Sequence, residues 1–193
     1  MSVPTYENVA CPITGLPAAR ALFVDTDWGR VYVCCQQCIA KVKVDPDAAY
    51  RIAYPVTQMA KNPVCPVTGE DLGSNPLTMI LQGREIAIKD ADVIPKARAN
   101  AQIVLVKVNR KGVVDVGNAT CPISGKPVID NAYCLVGSDL IHLSSPTLVD
   151  DVKKDPVKAL EAAKAIAAKE AEAKKHPPVA PPAPKGKTKP PTK

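Results

Sequence analysis

NVACPITG (residues 8–15), NPVCPVTG (62–69) and NATCPISG (118–125) spell Asn-x-x-Cys-Pro-[Ile/Val]-[Thr/Ser]-Gly three times in a chain of 193 residues. The spacing is regular. Cys65 follows Cys11 by 54 positions, and Gly83 follows Gly29 by the same 54. Cys121 follows Cys65 by 56, while Gly137 follows Gly83 by 54, so the third copy is two residues shorter over this stretch. A fixed period of this length marks one small supersecondary unit used repeatedly.

Working outward, Cys-Pro-x-x-Gly predicts a tight turn, because Pro presets one backbone angle and Gly accepts the left-handed region. A hairpin follows each turn: ALFV-DTDWG-RVYV, LTMIL-QG-REIAI and AYCLV-GS-DLIHL alternate in the manner of strands around glycine turns. After the first hairpin, CQQCIAKVKV predicts a short helix, and Asp45-Pro46 predicts an N-cap with proline at the first position of a second. The third copy repeats this as PTLVDDVKK and then Asp155-Pro156, opening a long helix rich in Ala, Glu and Lys. Its Val157, Leu160, Ala163 and Ala167 form an apolar stripe expected to pack on the body. In the second copy Pro95 reads as a helix breaker, and IVLVKVNRKGVVDV (103–116) reads as a hairpin bridging to the third copy. The fold class is therefore α+β, in segments 1–56, 57–113 and 114–175, followed by a tail, 176–193. That tail holds seven prolines and four lysines without an acid, a composition expected to stay extended and mostly disordered.

Composition narrows the function. Hydrophobic residues make up 46% of the chain but aromatic ones only 4%, so each small core must rest on Val, Ile, Leu and Ala. Domains of that kind often need a metal, a disulfide or a neighbour. The net charge of +6 equals the six lysines from Lys174 onward, which leaves a near-neutral body. A nucleic-acid face is not indicated, and the basic tail reads as a solubilising arm or as a docking arm for an anionic partner. No stretch reaches the roughly 18 apolar residues of a membrane helix, and MSVPTYENVA lacks the pattern of a secretory signal. The expectation is a soluble, cytoplasmic protein; an exported chain already freed of its signal reads the same way. There is no Ser-His-acid set, phosphate loop or carboxylate pair in a motif, and two histidines offer little for catalysis. The chain is not expected to be an enzyme.

The seven cysteines carry the chemistry. Each turn supplies one thiol, with Thr14, Thr68 or Ser124 standing where a metal knuckle would place its second cysteine. Hydroxyls are poor ligands for soft metals. Only the first copy adds CCQQC (34–38). Cys34 and Cys38 lie four apart at a helix start and share one side, and the hairpin can return Cys11 to them. Three sulfurs suit Cu(I) or Zn(II), with Cys35, water or another chain as a fourth ligand for zinc. Cys35 is either that ligand or a spare thiol, and Cys35-x-x-Cys38 also reads as a redox pair. In the third copy, Cys121, Cys134 and His142 are candidates for a second site, against the simpler reading of core cysteines and an ordinary histidine.

Cys11, 22 residues, Cys34, three residues and Cys38, set in RVYVCCQQCIAKV and followed by Asp45-Pro46 and Tyr50, resemble the YHS/TRASH family of small treble-clef-like metal-binding domains over residues 7–53. The resemblance implies binding of a soft or borderline metal in metal handling, in sensing, or as a module attached to another protein. It also implies three tandem treble-clef-like units. The later copies match only in the turn, the hairpin and, for the third, the helix pattern. Counted by the period, Ile88 and Asp92 replace Cys34 and Cys38 in copy two. In copy three the replacements are Leu143 or His142, and Pro146 or Thr147. The sequence thus leads to one zinc or Cu(I) ion per chain on Cys11, Cys34 and Cys38. The alternatives are an interaction module whose repeats or tail bind a protein partner, and a thiol redox protein using Cys35 and Cys38.

Overall fold

In the first Cys-Pro turn, the Cys11 N–H donates to the Leu16 carbonyl at 2.7 Å and the Gly15 N–H donates to the Cys11 carbonyl at 2.9 Å. The turns at Cys65 and Cys121 repeat both bonds, with Glu70 and Lys126 in the place of Leu16. Gly15, Gly69 and Gly125 all sit at φ between +69° and +76°, where a side chain would be strained. The structure, a computed structural model, describes residues 7–59 and 61–175. The predicted tail, 176–193, lies outside the described residues.

The asparagine of each motif ties its turn to the hairpin. The Asn8 amide donates to the carbonyls of Ala10 and Tyr32 at 2.8 Å each, and its carbonyl accepts the Tyr32 N–H at 2.8 Å. Asn62 does the same with Val64 and Ala87, and Asn118 with Thr120 and His142. A side-chain amide thereby imitates one more strand residue. It satisfies backbone groups that burial would otherwise leave unpaired.

The elements run in the expected order through the first segment: β1 (Ala19–Thr26), β2 (Gly29–Val33), α1 (Gln36–Val44) and α2 (Pro46–Ala53). Asp45 caps α2, accepting the Ala48 N–H at 2.9 Å. β3 (Gln58–Met59) leads to the second hairpin, β4 (Leu77–Leu81) and β5 (Arg84–Ile88). After a 3-10 turn at Ala91–Val93 come α3 (Ile94–Ala99) and α4 (Ala101–Asn109). β6 (Val114–Asp115) precedes the third hairpin, β7 (Tyr133–Val136) and β8 (Asp139–His142). A 3-10 turn at Pro146–Leu148, α5 (Val149–Lys154) and α6 (Pro156–Lys175) complete a mixed α+β chain with six α-helices among the described residues.

Two short strands at the start of the later segments join the sheets of their hairpins. β3 pairs parallel with β5 and β6 pairs parallel with β8, giving sheet orders β3-β5-β4 and β6-β8-β7 beside the two-stranded β1-β2. The hairpin tips also meet their predecessor. The Gln82 N–H donates to the Trp28 carbonyl at 2.8 Å, and the Gly83 N–H donates to the Tyr50 hydroxyl at 2.9 Å. Gly83, at φ +70°, has the Val56 carbonyl oxygen 3.0 Å from where a Cβ would stand.

Two expectations for the second segment fail. Pro95 does not break a helix: it occupies the first turn of α3, where no intrahelical N–H is needed. Residues 103–109 are not the first arm of a hairpin but the body of α4. Their branched residues favour strands weakly, and burial outweighs that preference. Ala101, Val104 and Leu105 fill the second segment's core, while Ile103 and Val106 pack with Leu140 of the third. A helix with buried apolar residues on two sides suits a site covered on two faces.

Three small aliphatic cores result, with a fourth cluster of Ile103, Val106 and Leu140 joining the second and third segments. The first contains Val24, Val31, Val33, Val42, Ala49 and Tyr50 together with Cys11 and Cys38. The third is closed by Ala159 and Ala163 of α6, with Leu160 partly buried, whereas Val157 is 64% exposed and does not join the predicted stripe. Glu170 fixes the far end of α6 by accepting the Ala119 N–H and the Thr120 hydroxyl, each at 2.7 Å. No described helix is long and apolar enough to cross a membrane.

Candidate metal centre

Three local structures deliver the sulfurs. Cys11 stands on the first turn and is 1% exposed. Cys34 follows the last residue of β2 and is partly exposed, and Cys38, 3% exposed, lies in the first turn of α1. The Asn8 clamp fixes the turn against β2, which sets Cys11 beside the strand's end. As a result the sulfurs of Cys11, Cys34 and Cys38 lie within 4.8 Å of one another, and this is the one such group of three among the described residues.

The separation fits a thiolate-bound ion. Metal–sulfur bonds of about 2.3 Å place bound sulfurs roughly 3.8–4.0 Å apart, and Cys34 Sγ is 3.7 Å from Cys38 Sγ. The surroundings fit as well. Burial opposes charge on Cys11, but backbone N–H groups of Cys34, Ile13 and Thr14 and the Thr14 hydroxyl point at its sulfur and bring its pKa down to about 6. Cys38 is pushed up to about 12 by the contact with Cys35, by burial and by its contacts with Cys34 and Cys11. One thiolate is thus held in a nest of donors, and crowding keeps a proton within the group. A cation relieves that crowding by replacing the proton.

Cys35 is the N-cap residue of α1 and partly exposed. Its sulfur is 3.3 Å from Cys38 Sγ, yet it stands outside the group of three. Contact with Cys38 lowers its pKa. The geometry separates Cys35 from the convergent set while keeping it adjacent to one member.

The same nest recurs without the other ligands. At Cys65, burial is outweighed by N–H groups of Thr68, Lys89 and Val67 and by the Thr68 hydroxyl, and the pKa falls. At Cys121, burial is outweighed by the Ser124 hydroxyl and the N–H groups of Ser124, Ser144 and Ile123, which lower it to about 7. The hydroxyl three residues after each motif's cysteine is therefore a donor to sulfur, and it also accepts the N–H two residues on at 3.3 Å.

These contacts correct the positions read from the period. Lys89 and Ser144, not Ile88 and Leu143 or His142, face their turn as Cys34 does. The N-caps Cys35, Asp90 and Ser145 then correspond, so Val93 and Leu148 replace Cys38, rather than Asp92 and Pro146 or Thr147. In copy two the period slipped by one because Asn62 clamps Ala87, 25 residues on, where Asn8 clamps Tyr32 at 24; in copy three Asn118 clamps His142 at 24 again, and the 56-residue step from Cys65 to Cys121 shifts the count. Lys89 pairs with Glu70 at 2.8 Å, the Ser144 hydroxyl meets that of Ser124 at 2.7 Å, and Val93 and Leu148 pack into the cores.

Cys121, Cys134 and His142 do not come together. Cys134 pairs across the hairpin with Ile141, so the next residue, His142, faces the opposite side of the sheet. Cys121 and Cys134 are buried in the third core. His142 Nε2 instead lies 2.7 Å from Asp115 Oδ1. The other Asp115 oxygen receives Lys107 Nζ at 2.7 Å, and the Gly117 N–H also donates to this carboxylate. Burial would raise the Asp115 carboxyl, but the bonds from His142 and Lys107 hold it well below the usual range. Sequence reasoning missed this cluster, although a lysine and an aspartate inside VLVKV and VVDV were its visible trace. Trp28 packs on the first core, donating Nε1–H to Asp47 at 3.1 Å.

Comparison with protein-family models, with curated proteins and with solved structures returns no match.

Proposed function

We propose that the chain is a non-enzymatic metal-binding protein in which Cys11, Cys34 and Cys38 hold one zinc or Cu(I) ion. The observation that carries this reading is the convergence, within 4.8 Å, of three sulfurs drawn from a turn, a strand end and a helix start. Chance thiols in a core have no reason to meet around a point, and none of the other cysteines do so among the described residues. The reading keeps the resemblance to YHS/TRASH domains and the treble-clef-like description of the segments beginning near residues 1, 57 and 114. Metal handling, or service as a metal-stapled module, is the corresponding role. A second reading, an interaction scaffold, draws support from Val93 and Leu148, which close two of the three cores without ligands.

Elemental analysis of protein purified without added metal, with a free-thiol count, tests the proposal. About one zinc or copper per chain is expected, lost in Cys11→Ser and Cys38→Ser. Metal-free protein with seven titratable thiols that takes up neither ion would remove the first reading and leave the scaffold.

A further inference from the structure

We propose that Cys35 is an oxidation site that controls the metal centre: reaction with a small-molecule disulfide joins Cys35 to Cys38 and so withdraws one ligand from the ion. The inference rests on the metal-binding reading above. Four observations carry it. Cys35 Sγ lies 3.3 Å from Cys38 Sγ, closer than Cys34 Sγ at 3.7 Å. The Cys38 N–H donates to the Cys35 carbonyl at 3.1 Å, and this turn holds the two residues at the separation a disulfide spans. Cys35 is partly exposed whereas Cys11 and Cys38 are buried, so a dissolved oxidant meets Cys35 before either. Cys35 lies outside the convergent three, so its sulfur stays free when they are engaged.

The step is an ordinary thiol–disulfide exchange. Cys35 sulfur attacks one sulfur of the small disulfide, and the first small thiolate leaves as a mixed disulfide forms. Cys38 sulfur then attacks Cys35 sulfur, the protein disulfide closes, and the second small thiolate leaves. Two electrons pass from the two cysteines to the small disulfide, which ends as two thiols carrying the protons the cysteines gave up or protons from water. Cys11 and Cys34 remain as a pair of thiolates, too few to retain a zinc ion. A small thiol in excess reverses both exchanges and restores the site.

The test uses the full chain loaded with Zn(II), exposed to oxidised glutathione. Zinc release is read with a chromophoric chelator, and the linkage by peptide mapping. Wild type is expected to release its zinc with a Cys35–Cys38 link. Cys35→Ser is expected to bind zinc within about threefold of wild type in reducing buffer and to release it at least about tenfold more slowly under the disulfide. Equal release from both proteins, or a mapped Cys34–Cys38 link, overturns the proposal. So does a loss of affinity in Cys35→Ser as large as in Cys38→Ser, which makes Cys35 a ligand. If wild type holds no zinc in reducing buffer, the metal reading and the release fall together. Mapping of the same metal-free protein then still decides whether the two sulfurs pair.

Discussion

The first Cys-Pro turn and the two later ones surround sulfur with the same donors, yet only the first has somewhere to send the charge they favour. Around Cys11 the neighbouring positions hold Cys34 and Cys38; around Cys65 they hold Lys89 and Val93; around Cys121, Ser144 and Leu148. In the later segments an apolar side chain fills the space that a third sulfur lines in the first. On the proposed metal-binding reading, an ion with its thiolates and a buried aliphatic residue are two solutions to one packing problem. The first segment, whose core includes the sulfurs of Cys11 and Cys38, would then depend on an ion in a way its neighbours do not.

The largest test of that contrast is metal removal. A strong chelator should raise hydrogen exchange across residues 7–53 by orders of magnitude and leave 120–170 nearly unchanged, because binding free energy at a thiolate site is folding free energy. Unchanged exchange in the first segment would erase the contrast.

A second test installs the missing ligands. Lys89→Cys with Val93→Cys supplies two thiols beside the existing Cys65 nest, and metal content should rise from about one to about two ions per chain. If the double variant folds and stays at one, the equivalence of Lys89 and Val93 with Cys34 and Cys38 is wrong.

The clamp is common to all three segments, so breaking it should hurt away from any metal. Asn118 is 2% exposed and satisfies both backbone groups of His142. Asn118→Ala should lower unfolding free energy by about 2–4 kcal/mol in denaturant titration, since two buried groups lose their partners. A change under half a kcal/mol, about what a neutral surface substitution gives, would mean that water replaces the amide.

The smallest effect belongs to the Asp115 link. Its carboxyl is depressed in the folded chain, so the stability it lends is complete above the ordinary carboxylate value of about 3.9 and is lost as pH falls below it. Asp115→Asn should cost about 1–3 kcal/mol at neutral pH, and the gap to wild type should narrow below pH 4. A gap that stays constant through acid would assign the loss to packing.

The turns, the hairpins and the cysteine trio were legible because each rests on residues with few alternatives: Pro and Gly for the turn, alternating branched residues for the strands, and thiols four apart where a strand end passes into a helix start. The second segment was misread where propensity and burial disagree. IVLVKV is strand-like by composition and helical by circumstance, and nothing local reveals that both its faces will be covered. The ligand equivalents were misplaced by one or two residues because a period counts positions, whereas the clamp asparagines align backbones. The part played by those asparagines was hidden for a related reason: a repeated polar residue announces a bond but not its partner.

The parallel pairing of β3 with β5 and of β6 with β8 has a consequence for how the chain can be divided. Each later hairpin completes its sheet with a strand that the linker before it supplies, and α4 lends one face to each of two cores. A cut after α4 that also removes β6 would therefore bare an unpaired edge on β8 and strip the apolar face around Leu140. Edges of that kind recruit other chains. The second and third segments are thus expected to act as one cooperative block in heat, in proteolysis and in any attempt to express them apart.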